Sequence, residues 1–224
     1  MNILALDTCL GACSVAVCAD GRTLATASEP MTRGHQERLA PMAREVMAKA
    51  GLDFARLDRI GVTVGPGSFT GLRVGLAFAK GLALALDRPG IGVSVLEALG
   101  RGPARAGFVA ACLDAHRGQI YLQVFVDGRA AMAPDALPVE VASARLIELY
   151  AGGPALLVGS GARLLQAALP GALAEPDALP DPAVIAGFAR DARPPFAPPR
   201  PLYLRAPDAR VMEARVTDAK VKGA

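Results

Sequence analysis

Two aspartates and two glycine loops are the parts of this chain whose residue types and spacing could do chemistry. Asp7 ends the apolar run Ile3-Leu4-Ala5-Leu6, and Asp114 follows Leu113 in the same way. A carboxylate at a strand end is an oxygen ligand for a hard cation. Glycine loops after strands offer backbone N–H groups to phosphates, so two such units facing a cleft can hold a magnesium nucleotide. A carboxylate in this position is equally a turn former or cap. The first loop runs Gly65-Pro66-Gly67-Ser68-Phe69-Thr70-Gly71-Leu72-Arg73-Val74-Gly75. It lacks the lysine of a phosphate loop, and Gly65, Gly67 and Gly71 give G-x-G-x-x-x-G rather than the dinucleotide G-x-G-x-x-G. Phosphate cradle and tight turn before a capped helix both fit it.

Other chemistries are limited by what the chain lacks. His35 and His116 are its only histidines, which excludes H-E-x-x-H and H-x-x-x-H metal sites. There is no G-x-S-x-G elbow. Cys9, Cys13, Cys18 and Cys112 have neither paired C-x-x-C spacing nor the density of a disulfide scaffold, and read as small buried hydrophobes. A net charge of +3 does not by itself indicate nucleic acid. From Arg190 onward eight cations face four anions, which suits a solvated terminus or a weak polyanion contact. The start, Met1-Asn2 and then a short apolar run, has no basic lead-in, so no signal peptide and a cytoplasmic location are expected.

The elements that would position these residues follow from pattern. Ile3 to Asp7, Cys13 to Ala19 and Arg22 to Ser28 read as strands, with Asp20-Gly21 as the hairpin turn between the last two. A helix ends near Ala50 and keeps Leu39, Met42, Ala43, Val46 and Met47 on one face. Ile60 to Val64 is a strand, Ser68 a helix cap, and Thr70 to Leu86 a helix; Ile91 to Ser94 is a further strand, with Ser94 capping Val95 to Leu99. Past a linker at Arg101-Gly102-Pro103-Ala104 the chain repeats itself. Leu6–Arg22 set against Leu113–Arg129 gives seven identities in seventeen ungapped positions, pairing Asp7 with Asp114 and Asp20-Gly21 with Asp127-Gly128. A second glycine loop, Gly159-Ser160-Gly161, follows Leu156 to Val158 and precedes a helix-like Ala162 to Leu169. The duplication places Asp7 and Asp114 across an interdomain cleft, as in actin-like and sugar-kinase-like phosphotransferases.

At 100° per residue the helix Thr70 to Leu86 places Val74, Gly75, Phe78, Leu82 and Ala85 toward the sheet. It places Arg73, Leu76, Ala77, Lys80 and Leu84 on the opposite face. Two cations among apolar side chains there suggest a surface covered by a partner or by the rest of the chain. Small residues at Gly71, Gly75, Ala79 and Ala83 would let another backbone come close. A membrane span is not expected, because three glycines and two cations interrupt a run barely long enough.

Five motifs carry a family resemblance: Leu4-Ala5-Leu6-Asp7-Thr8; His35-Gln36-Glu37-Arg38-Leu39; Gly65 to Gly75; Leu113-Asp114-Ala115-His116-Arg117-Gly118-Gln119-Ile120-Tyr121; and Pro201-Leu202-Tyr203-Leu204-Arg205. Together they resemble the TsaB (YeaZ) family of bacterial tRNA threonylcarbamoyladenosine biosynthesis proteins. The resemblance implies an α/β, actin-like (ASKHA, ribonuclease H-like) duplicated fold of two mixed-sheet domains with flanking helices. The expected division is 1–102, 103–205 as a degenerate second copy, and a basic tail 206–224.

The resemblance also implies a non-catalytic scaffold that pairs with TsaD, the paralogue that transfers threonylcarbamoyl to the adenosine beside the anticodon. The ATPase TsaE is a further partner, and tRNA is met through the complex. TsaD needs two metal-ligating histidines on its first helix; here His35 stands alone, with Leu39 at i+4, and Gln36 replaces the usual serine. Pairing through N-terminal helices makes His35, Arg38, Arg73, Leu76, Ala77, Lys80 and Leu84 the expected interface with TsaD, or with a second copy when the chain is alone. Asp7, Thr8, Gly65, Gly67, Ser68 and Asp114 would be a vestigial nucleotide site. No metal and no cofactor of its own are expected, and ATP or ADP with magnesium belongs to the complex. The competing expectation is an ATP-dependent phosphotransferase using Asp7 and Asp114. A metalloprotease, an old label on relatives, fails for want of ligands.

Overall fold

The structure, a computed structural model, describes residues 1–102 and 107–205. Its first half is a five-stranded sheet with the apolar run of the N-terminus as its central strand. β1 (Asn2–Asp7) pairs antiparallel with β2 (Ala12–Ala19), which returns as β3 (Arg22–Pro30). Asp20 at φ 50° and Gly21 at φ 80° are both left-handed, the geometry that a two-residue hairpin turn demands and that Asp-Gly accepts most readily. The chain then forms α1 (His35–Lys49), β4 (Arg59–Thr63), α2 (Phe69–Leu86), β5 (Gly90–Val93) and α3 (Val95–Gly100). β4 and β5 add in parallel, giving the order β3-β2-β1-β4-β5.

The second half repeats this plan. β6 (Phe108–His116) and β7 (Gln119–Val126) are antiparallel, and the turn Asp127-Gly128, again left-handed at both residues (φ 48° and 73°), leads to β8 (Arg129–Ala130). β9 (Asp135–Pro138) also pairs with β7. After α4 (Val139–Leu149) come β10 (Ala155–Val158), α5 (Ala162–Leu165) and β11 (Leu173–Glu175). β10 lies parallel to β6 as β4 does to β1, so the order β11-β10-β6-β7-β8 mirrors the first sheet. The duplicated α/β fold is therefore present.

Alternation along β1 sorts the first core. Leu4 and Leu6 face a cluster with α1 and α2, while Ile3 and Ala5 face one with Ile185, Ala186 and Ala189 of the last helix, α6 (Pro182–Asp191). This corrects the division at 103: α6 follows the second half in sequence but packs beneath the first sheet, touching β1, β2, β4 and β5. Its cap, Asp181, accepts from Ala183 N at 2.8 Å. The helix read at Ala162 to Leu169 stops at Leu165. Pro103 and Ala104 of the linker, and the tail 206–224, lie outside the described residues.

The seating of α2 also differs from its periodicity. The face turned inward is Leu72, Gly75, Leu76 and Ala79, whereas Ala85 is exposed and Val74 and Phe78 are half-buried. Small size decides the rotation. A Cβ on Gly71 would lie 1.9 Å from the Thr8 carbonyl oxygen, and one on Gly75 2.5 Å from Thr8 Oγ1. The backbone that the small-residue stripe admits is thus the chain's own β1–β2 turn, and Leu76 follows Gly75 into the core.

Candidate functional site

The ends of β1 and β4 and the start of α2 form one hydrogen-bonded knot. Asp7 is fully buried; its Oδ1 accepts from Thr63 Oγ1 and from Cys9 N (3.1 Å), and its Oδ2 has no partner. Burial pushes its pKa up to about 6, against the Thr63 and Cys9 hydrogen bonds, which favour the charged form. Thr8 Oγ1 donates to Gly71 O at 2.7 Å, and Ser68 N donates to Cys9 O at 2.7 Å. Ser68 Oγ caps α2 by accepting from Gly71 N at 3.2 Å. A Cβ on Gly67 would lie 2.3 Å from Cys9 O. The glycines make room for the β1–β2 turn, whose Thr8 and Cys9 carbonyls lie where side chains on Gly71 and Gly67 would project.

Asp114 has a different setting. Its Oδ1 accepts from His116 N at 2.7 Å, its N–H donates to Ser160 Oγ at 3.0 Å, and its side chain is 38% exposed. It lines an interdomain cleft of about 540 Å³ with Cys9, His35, Gly67, Ser68 and Arg205 among others. The expected pairing of Asp7 with Asp114 across this cleft is corrected: Asp7, Thr8 and Gly65 do not line it. The reason is the β1–β2 turn, which folds over Asp7 and seals it. His35 reaches the cleft wall but is only 6% exposed, with Nε2 unpartnered. Among the described residues no three His, Cys, Asp or Glu side chains are grouped so as to hold a metal ion.

The outer face of α2 is the second candidate. Arg73, Ala77, Lys80 and Leu84 are exposed as expected, Leu84 to 85%. Leu76 is corrected: at 4% exposure it belongs to the core and cannot contribute to an interface without unpacking the helix. Sequence reading missed Phe69, which is 57% exposed with the Arg73 guanidinium 3.6 Å over its ring, and the outward Gly81 and Ala85. The solvent-side spacing of Ala77, Gly81 and Ala85 could have revealed them. On α1, Arg38 is clamped between Glu29 and Glu45, with contacts of 2.5 and 2.8 Å, and lowers the pKa of both carboxyls by hydrogen bonding. α2 is long and apolar enough to cross a membrane by length and composition, with 28% of it buried; here it packs on β4, β5 and α1.

Comparison with known proteins gives consistent matches. The family model described as TsaD, tRNA N6-adenosine threonylcarbamoyltransferase, matches residues 27–162. The tRNA threonylcarbamoyladenosine biosynthesis protein TsaB of Escherichia coli K12 is 40% identical over 124 residues, 54% of this chain and 53% of that one. The match thus spans about half the length of that curated relative. The solved YeaZ of Pseudomonas aeruginosa is 32% identical, with a TM-score of 0.73 over 84% of this chain and 90% of that one. A ROK hexokinase from Thermus thermophilus, 16% identical with a TM-score of 0.50 over 85% of this chain and 98% of its own, shares the actin-like fold alone.

Proposed function

Because this chain belongs to the TsaB (YeaZ) family, we propose that it is a non-catalytic subunit that pairs with TsaD in forming threonylcarbamoyladenosine beside the tRNA anticodon. In this reading the ATPase TsaE joins the complex in the cytoplasm, tRNA is met through the assembly, and the chain pairs with itself when TsaD is absent. ATP or ADP with magnesium acts at the level of the complex.

The observation that carries the proposal is the outer face of α2. An 18-residue apolar helix leaves Phe69, Ala77, Leu84 and Ala85 toward solvent, with Arg73 and Lys80 among them. Such a surface gains free energy by covering its apolar area, at roughly 25 cal/mol per Å². Small residues at Ala77, Gly81 and Ala85 allow close approach of a partner helix, and the two cations favour carboxylates beside it.

Support for a non-catalytic role comes from the knot at Asp7. A buried carboxylate under the β1–β2 turn cannot reach a cation in the cleft without rearrangement, and the Ser68 amide is already bonded to Cys9 O. The test is reconstitution: tRNA modification by TsaD and TsaE, with their adenylate substrate, measured with and without this chain. Modification that depends on the chain, together with no turnover of magnesium-ATP by the chain alone, supports the proposal. Modification by the isolated chain, or phosphoryl transfer abolished by Asp7→Asn and by Asp114→Asn, would replace it with an enzymatic function.

A further inference from the structure

The motif Pro201-Leu202-Tyr203-Leu204-Arg205 has no part in the docking face. It closes a stretch, Ala192 to Arg205, that has no regular secondary structure yet is fastened at four places. At its start Arg59 Nη1 donates to the carbonyls of Ala189, Arg190 and Ala192 (2.6, 2.9 and 2.9 Å), and the Arg59 guanidinium lies 4.9 Å over the Phe196 ring. Pro199 rests on the bare backbone of β5: a Cβ on Gly90 or Gly92 would be 3.3 Å from the proline ring. Leu202 N then donates to Val64 O at 2.7 Å, at the mouth of the glycine loop. These three attachments all belong to the first half.

The fourth crosses to the second half. The β6–β7 register jumps between Asp114 and His116, leaving Ala115 without a partner on β7. A bulge of this kind frees a carbonyl that needs a donor from elsewhere. That donor is Arg205, ninety residues away in sequence, whose Nη1 lies 3.0 Å from Ala115 O and 3.3 Å from Gln119 Oε1. Arg205 also lines the interdomain cleft. A cationic donor on a carbonyl is stronger than a neutral one, and it is directional.

We propose that residues 192–205 are an interdomain strap, and that the hold of Arg205 on the bulged Ala115 is the latch that sets how far the cleft between the two halves opens. The first three attachments fix the strap to the first sheet, and the halves also meet where α3 packs on β6 and β7. Releasing the fourth therefore loosens the cleft side of the second half about that contact while leaving each half folded. The bulge and the motif are then one device: the first presents a carbonyl, and the second brings a guanidinium to it.

Hydrogen exchange on the full-length chain tests this, with spin-label distances between Lys49→Cys on α1 and Arg163→Cys on α5, both exposed positions. Arg205→Ala is expected to speed exchange across residues 113–121 by about tenfold while residues 3–18 keep their wild-type rates. The distance distribution between the labels should broaden toward longer values. Arg205→Lys should fall between wild type and Arg205→Ala, and Tyr203→Ala, on the same strap but 56% exposed, should match wild type. An unchanged distance distribution in Arg205→Ala, or exchange accelerated equally in both halves, would overturn the latch.

Discussion

Replacing Asp7 with asparagine should alter how stability depends on pH, because the wild-type carboxyl is sealed under the β1–β2 turn. Its pKa stands at about 6, against an ordinary 3.8. A gap of about two units corresponds to ~3 kcal/mol. The folded form holds the proton more tightly than the unfolded form, so the favourable linkage is fully present below pH about 4 and is lost as pH rises through about 6. Asparagine keeps the shape and has no such titration. Its fixed cost, an amide nitrogen where Oδ2 now lacks a partner, is the same at every pH. The assay is chemical denaturation of both proteins between pH 4 and 8. The stability difference should move by ~3 kcal/mol in favour of asparagine as pH rises through that window, and Thr63→Val, which removes a donor to the charged carboxylate, should steepen the wild-type slope. A difference that stays constant within about 0.5 kcal/mol would refute a sealed, protonatable Asp7.

Three further outcomes separate the core from the surface. Leu76→Asp should destabilise the chain by about 4 kcal/mol or more, since it buries an unpaired charge in the core beneath α2, and thermal unfolding will register it as a large loss of Tm. Gly71→Ala should be destabilising even though alanine favours helix by about 1 kcal/mol, because its Cβ would meet the Thr8 carbonyl; a rise in Tm would contradict the close seating of α2. Ser68→Ala should cost about 1 kcal/mol through loss of the cap, measured by equilibrium denaturation.

The strands and helices of the first half were legible because their signals are local. Apolar runs, Asp-Gly turns and Ser caps each act within a few residues, and the structure places β1 to β5 and α1 to α3 where those signals lie. The duplication was legible for the same reason, through Asp20-Gly21 and Asp127-Gly128. What escaped was set by contacts distant in sequence. The rotation of α2 depends on the β1–β2 turn entering the grooves at Gly71 and Gly75, and periodicity alone cannot distinguish Leu76 from Leu84. The return of α6 to the first sheet leaves no mark in its own sequence beyond an amphipathic pattern. Asp7 and Asp114 occupy equivalent positions in the repeat, yet one is buried and the other borders the cleft, because only the first is covered by its own turn.

The docking account is tested most directly by the affinity of TsaD for this chain and for Leu84→Asp, measured by titration calorimetry at fixed salt. Leu84 is 85% exposed, so the substitution should leave Tm nearly unchanged. It should weaken binding at least a hundredfold, about 3 kcal/mol, by placing an unpaired carboxylate in an apolar contact. Wild-type affinity in the folded variant would contradict the assignment of this face to TsaD.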